Sequence, residues 1–194
     1  MKIGFMGGSF DPVHFGHLIA AQDAYERGGL DRLVFVPAAQ APLKPGAVQA
    51  PAEARLAMLQ AALADDARFE ISDYEVRKGG VSYTIDTVRH FLEQSPGDEL
   101  AWVIGADQVE RLYQWREIDE LARLVEFIVL ARPGWEVGGQ PAIPGLRLRV
   151  CSGHRIELSS TEVRDRVRAG LPVDAMIPHK TVEYIRETGL YRPI

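Results

Sequence analysis

Lys2-Ile3-Gly4-Phe5-Met6-Gly7-Gly8-Ser9-Phe10-Asp11-Pro12-Val13-His14-Phe15-Gly16-His17 opens the chain, and its reading decides the fold. The segment 2–6 is short and apolar enough to be a buried strand. Two glycines end it and let backbone approach whatever lies beyond without a side chain in the way. Helical composition follows over 18–27, stopped by Gly28-Gly29. Outward from this unit the alternation continues. Further strands are expected over 32–37, 69–76, 100–104, 125–131 and 146–150, and helices over 51–63, 84–94, 118–124, 160–169 and 180–187. The helix over 84–94 carries Ile85, Val88, Phe91 and Leu92 on one stripe. Strand and helix alternating at this spacing imply an α/β fold, a Rossmann-like doubly wound parallel sheet with helices on both faces. Such sheets take ligands at the carboxyl ends of their strands, near a switch in strand order. That points to the loops after Met6, Val36, Ile104 and Val150.

The 194 residues, 46% apolar and 25% charged, suit an ordinary globular chain. One domain over 1–194 is expected, its C-terminal helical part (about 159–194) packed on the rest. Lys plus Arg number 22 against 27 Asp plus Glu, a net charge of −5, which suits neither a nucleic-acid partner nor a membrane surface. Cys151 is the only cysteine, so no intrachain disulfide can form. With no targeting segment in view, a cytoplasmic location is expected. The apolar run 127–131 is too short to span a bilayer. Segments 40–51 and 132–145, rich in Pro, Gly and Ala, read as long surface loops. Composition leaves monomer and homo-oligomer open.

His14 and His17 lie three residues apart, so a helix starting near Val13 puts both on one face of its first turn. That end also offers open backbone N–H groups and the positive end of the helix dipole. Two imidazoles with such N–H groups make a polyphosphate site. The plain alternative is a strand-to-helix turn with glycines for geometry and histidines for capping. No third ligand is spaced to make the pair a metal site, so no protein metal site is expected.

Gly-Ser-Phe-Asp-Pro-x-His-x-Gly-His over 8–17 resembles the signature of the nucleotidylyltransferase superfamily. Within it the chain resembles the bacterial nicotinate mononucleotide adenylyltransferases over nearly its whole length. The likeness includes Val81-Ser82-Tyr83-Thr84-Ile85-Asp86-Thr87, Ile104-Gly105-Ala106-Asp107 with Trp115, Leu158-Ser159-Ser160-Thr161-Glu162-Val163-Arg164, and Val182-Glu183-Tyr184-Ile185. The resemblance implies that His14 and His17 bind ATP phosphates and stabilise charge at the α-phosphate. It implies that Gly7, Gly8, Ser9 and Phe10 line the nucleotide site, with Gly105 and Asp107. Ser159, Ser160 and Thr161 would form a second phosphate motif, with Arg164 one helical turn on, pointing back at the same anion. Lys44 would close a loop over the triphosphate, although Leu43 stands where the family has histidine. Ser82, Tyr83, Thr84 and Trp115 would hold nicotinate mononucleotide, with Thr84 capping the helix it begins. Asp11 reads as a turn residue, Trp102 as core, and His90, His154 and His179 as structural or exposed.

The implied reaction joins nicotinate mononucleotide to the AMP part of ATP and releases pyrophosphate, a step of NAD biosynthesis. The attacking phosphate is already an anion, so positioning and charge stabilisation carry the catalysis. Mg²⁺ would ride mainly on the ATP phosphates and keep most of its waters. Phosphopantetheine adenylyltransferases are the rival in the superfamily, but they are shorter, carry Thr at the His14 position and lack the Ser-Tyr-Thr and Gly-Ala-Asp…Trp arrangement. A nucleotide-binding regulator without turnover is the rival from another class. Small size and acidic balance speak against a tRNA-ligating enzyme.

Overall fold

The structure, a computed structural model, describes residues 1–42, 49–131 and 141–192. In chain order its elements are β1 (Lys2–Gly8), α1 (Phe15–Gly28), β2 (Arg32–Pro37), α2 (Ala52–Leu63), β3 (Phe69–Ile71), α3 (Tyr74–Lys78), α4 (Thr84–Gln94), β4 (Glu99–Gly105), α5 (Ala106–Val109), a 3₁₀ turn (Leu112–Gln114), α6 (Ile118–Leu124), β5 (Val125–Ala131), β6 (Leu148–Ser152), α7 (Ser160–Arg168) and α8 (His179–Thr188). The six strands form one sheet in the order β3-β2-β1-β4-β5-β6, and every pairing is parallel. This is the doubly wound α/β sheet expected, with the order reversing between β1 and β4.

Alternation along the central strands makes two cores. Leu33 and Phe35 of β2, with Ala101 and Val103 of β4, face the side packed by α1, α2, α7 and α8. Val34, Val36, Leu100, Trp102 and Ile104 face the side packed by α4 and α6. A strand buried on both faces reads as a continuous apolar run, which is why these segments were visible in the sequence. In β1 the first face carries Gly4, where a Cβ would lie 2.3 Å from the Leu30 side chain. The chain leaves α1 through Gly29 in the left-handed region (φ 61°), a conformation that favours glycine.

Two expected strands are corrected. The strand expected over 69–76 ends at Ile71, because Ser72 N–H donates to the Phe35 carbonyl (2.9 Å) while the Ser72 hydroxyl accepts from Tyr74 N–H (3.2 Å), turning the chain into α3. The last strand begins at Leu148, not at 146, because Leu146 N–H is spent on a turn to Ile143 and pairing with β5 starts at Phe127 opposite Leu148. Of the expected loops 40–51 and 132–145, residues 43–48 and 132–140 lie outside the described residues. No helix among the described residues is long and apolar enough to cross a membrane.

A buried arginine joins the loops at the carboxyl end of the sheet. Arg55 of α2, 1% exposed, donates to the carbonyls of Ser9 (2.7 Å), Ala39 (3.1 Å) and Ala50 (3.2 Å). Arg55→Met keeps the bulk but leaves three carbonyls without a donor. At about 1 kcal/mol per lost bond, urea unfolding should report a loss of about 3 kcal/mol or more. A loss under about 1 kcal/mol would mean that Arg55 does not hold these loops.

Candidate active site

Pairing between β1 and β4 stops at Phe5 opposite Trp102, whereas β1 stays with β2 to Gly8 and β4 stays with β5 to Gly105. The two strands therefore part over their last residues. The parting opens into a cavity of about 460 Å³ whose lining includes Gly7, Gly8 and Ser9 of the first loop, Gly105 and Gln108 after β4, and Ser82, Tyr83, Thr84, Trp115 and Arg116 from the α4 side. Backbone sits close here: a Cβ on Gly7 would lie 2.8 Å from the Trp102 ring, and one on Gly8 2.9 Å from the Phe10 ring. Phe10 is buried with φ 47° and meets the His17 ring edge-on at 5.1 Å.

Helix α1 starts at Phe15, between the helical composition expected from 18 and the start near Val13 that would pair the histidines, with His14 at its N-cap and His17 three residues on. Their rings stack with centroids 3.7 Å apart. The His14 backbone N–H donates to His17 Nδ1 (3.2 Å), which puts the ring hydrogen of a neutral His17 on Nε2. His14 is 5% exposed, and burial lowers its pKa to about 4, so it is neutral at pH 7. Its Nδ1 is buried without a hydrogen-bond partner among the described residues. Gly16 supports this ring closely: a Cβ there would lie 2.9 Å from His14 Nδ1. Gly16 itself lines the cavity, whereas His14 and His17, its neighbours on either side in the chain, are not among the residues that line it.

On the other wall, α4 begins at Thr84 with Tyr83, not Thr84, at the N-cap, and no side chain caps it. Ser82 is held in place, its hydroxyl accepting from Ala39 N–H (3.0 Å) and its N–H donating to the Gln40 carbonyl (2.9 Å). Trp115 is half-buried, edge-on to Phe127 at 6.0 Å, and its buried Nε1–H has no partner among the described residues. Two groups here were not read from the sequence. The Arg116 guanidinium lies 4.7 Å from the Tyr83 ring centroid, with its Nε 3.2 Å from Glu117 Oε1, so this wall carries a cation that is paired with a carboxylate. Glu75 of α3 also lines the cavity, 5% exposed, and accepts from the Thr87 hydroxyl. Burial pushes its carboxyl pKa up, opposed by hydrogen bonds from Thr87 and Ser82. The wall is therefore not made of donors alone.

The second motif joins the first loop from outside the cavity. Ser159 caps α7 by accepting from Glu162 N–H (3.1 Å), and Ser160 donates to the Pro12 carbonyl (2.9 Å). Arg164 is buried, donating to the Asp11 carbonyl (2.7 Å) and to Thr161 Oγ1 (3.1 Å), with its Nε unpartnered among the described residues. Asp11 is more than a turn residue: its buried carboxylate accepts from Gln49 N–H (2.8 Å), Ala50 N–H (3.1 Å) and the Tyr191 hydroxyl (2.7 Å). Asp107 is exposed at the start of α5, bonded by the Gln108 amide (2.7 Å), beside Gly105. Lys44 lies outside the described residues. Trp102 is core as expected, and His90 stacks on Tyr74 at 3.8 Å. His154 is exposed, as expected, and it also lines the cavity and pairs with Asp23. Among the described residues no three His, Cys, Asp or Glu side chains converge as a metal-holding group.

The cytidylyltransferase-like family model matches residues 5–166. A curated relative from Opitutus terrae, named "Probable nicotinate-nucleotide adenylyltransferase", is 61% identical over 193 residues, covering 100% of this chain and 99% of that one. One of the same name from Thermus thermophilus is 42% identical over 192 residues, covering 99% and 100%. Among solved structures, the Plasmodium falciparum nicotinic acid mononucleotide adenylyltransferase complexed with NaAD superimposes with a TM-score of 0.78 at 19% identity, over 98% of this chain and 97% of that one, a likeness of fold. Full-length identity to these relatives, on a parallel sheet that opens where its strand order reverses, makes the chain a member of the nicotinate-nucleotide adenylyltransferase family.

Proposed function

We propose that the protein transfers the AMP group of ATP to nicotinate mononucleotide, giving nicotinate adenine dinucleotide and pyrophosphate. One observation carries this beyond family membership: a single cavity joins the glycine loop beside the histidine pair to the aromatic wall of Tyr83 and Trp115. A dinucleotide product needs both, a backbone-lined centre for its linked phosphates and a ring surface to one side. In this reading Gly7, Gly8, Ser9, Phe10, Gly105 and Asp107 hold the nucleotide, and Ser159, Ser160 and Thr161 take the outer phosphates. Ser82, Tyr83, Thr84 and Trp115 hold the pyridine nucleotide.

The mononucleotide phosphate attacks the α-phosphorus of ATP in line with departing pyrophosphate. Its oxygen is already ionised, so no residue need remove a proton. His17 offers Nε2–H and the neutral His14 a second ring hydrogen toward the charge that gathers on the α-phosphate; Lys44 and Arg164 balance the leaving pyrophosphate. The neutral His14 imidazole bears a fixed dipole and needs no proton transfer during the step. Mg²⁺ would ride mainly on the ATP phosphates and neutralise their charge, and the exposed carboxylate of Asp107, two residues after Gly105, would be the side chain to add an oxygen to it.

The direct test is pyrophosphate release from ATP with nicotinate mononucleotide, nicotinamide mononucleotide or phosphopantetheine as acceptor; the reading requires the first to be used best. His17→Ala should lower kcat by about 10²–10³ with little change in the KM for nicotinate mononucleotide, the loss expected for one preorganised donor. Near-normal kcat at saturating substrates would remove His17 from the chemistry.

The uncapped start of α4 and the Arg116 guanidinium both favour an anion on the pyridine ring. The acid should therefore be preferred to the amide by more than about tenfold in kcat/KM. Arg116→Gln should reduce that ratio several-fold, whereas Trp115→Ala should weaken both substrates alike. Comparable use of acid and amide by the unmodified protein would contradict the carboxylate site.

His14 also has a consequence for stability. Its pKa is lowered to about 4 in the fold, against about 6.5 unfolded. Between pH 6.5 and 4 the unfolded chain therefore takes up a proton that the folded chain does not, and stability falls as pH falls. The full effect is roughly 3 kcal/mol. Unfolding measured from pH 7 to 4 should show this slope flattened in His14→Asn; an identical slope would mean that His14 is not held neutral.

A further inference from the structure

The cavity has a second end. Beyond the glycine loop, on the α1 side of the sheet, it is walled by Ile19 and Ala20 of α1, by Leu130 and Ala131 where β5 ends, and by Ile156. These are apolar surfaces. The polar side chains set among them are Asp23 and His154. Asp23 belongs to α1, yet it is 2% exposed and accepts twice from a residue 131 positions away: from His154 N–H at 2.8 Å and from His154 Nδ1 at 2.9 Å. Arg27, one turn on, lies 3.4 Å from the same carboxylate and is itself engaged with the Ser152 hydroxyl. The His154 side chain, 64% exposed, stands at the rim where a ligand can reach it.

This arrangement determines what His154 can do. A carboxylate only accepts, so the Nδ1 facing Asp23 carries the ring hydrogen, and in the neutral ring Nε2 keeps the lone pair. The dyad thus presents a fixed acceptor at one edge of an apolar slot. A flat heterocycle with a hydrogen-bond donor on its edge fits such a slot: the apolar walls take its faces and the acceptor takes the donor. The pyridine ring is suited to the opposite end, where Tyr83, Trp115 and the Arg116 cation stand. With linked phosphates at the parting of β1 and β4, the second base of the product lies toward Asp23 and His154.

We infer that Asp23 and His154 are the base-reading pair of this enzyme, His154 Nε2 accepting a hydrogen of the adenine 6-amino group while Asp23 fixes the ring's tautomer and orientation. This rests on the proposed function, since it takes ATP as the donor. A purine without the amino group leaves the acceptor unmatched, and one with a 6-oxo group sets acceptor against acceptor.

The test compares ATP with purine riboside 5′-triphosphate, which lacks only the 6-amino group. Equilibrium dissociation constants for the full chain come from calorimetry, with pyrophosphate release followed in parallel. The unmodified protein should bind ATP about five- to tenfold more tightly, the worth of one hydrogen bond. His154→Phe keeps a flat ring but removes the acceptor, and should bring the two constants within about twofold. His154→Gln, whose side-chain oxygen can accept, should restore part of the preference, which a merely structural role for His154 would not do. Equal binding of both triphosphates by the unmodified protein, or a preference that survives in His154→Phe, overturns the assignment. Absence of pyrophosphate release with the preference intact would sink the proposed function and leave the base contact standing.

Discussion

Strand pairing between β1 and β4 ends at Phe5 opposite Trp102, and the working part of the molecule follows from that end. Each strand keeps its outer partner for several more residues, so the sheet stays whole on both sides of the parting. The parting is a consequence of topology. Crossovers leave β1 and β4 toward opposite edges of the sheet, which opens a crevice between their carboxyl ends. Glycine at positions 7 and 8 lets the loop backbone pack directly on the Trp102 and Phe10 rings, which a Cβ on either would run into. Backbone then lines the crevice where a phosphate chain needs donors without side chains.

The loops around the parting are held by buried polar groups. Asp11 ties the first loop to Gln49 and Ala50 at the foot of α2 and to Tyr191 near the C-terminus. Arg164 ties α7 to the same loop through the Asp11 carbonyl, and Arg55 ties in the end of β2 through Ala39. A reaction run by preorganised donors depends on this rigidity, since a donor that must reorganise loses most of its advantage. It also reconciles a net charge of −5 with two anionic substrates. Cations and helix starts are gathered at the loops, while carboxylates near the cavity are occupied: Glu75 by Thr87 and Ser82, Asp23 by His154 and Arg27.

What the sequence made legible was local. β2, β5, α4 and α6 lie where apolar runs and the helical period put them, because strands buried on both faces and helices with one buried stripe carry those patterns in consecutive residues. The glycine loop and its two histidines were legible for the same reason. β3 is shorter than its sequence suggests, since an edge strand of three residues leaves too short a pattern to separate from the serine turn after it. α5 and the 3₁₀ turn were missed because neither completes a helical period. Arg55, Glu75, Arg116 and the Asp23–His154 pair were passed over because their meaning lies in partners far along the chain. A buried aspartate on α1 meeting a histidine 131 residues later leaves no mark in either local stretch.

In the proposed reaction one dinucleotide lies across the parting of β1 and β4, with its rings at opposite ends of a single cavity. A crystal structure of the full chain with nicotinate adenine dinucleotide tests this most directly. The linked phosphates should lie against Gly7, Gly8 and the start of α1, the pyridine ring beside Trp115 and the adenine ring between α1 and Ile156. A product bound with its rings exchanged, or with its phosphates away from the parting, would contradict it.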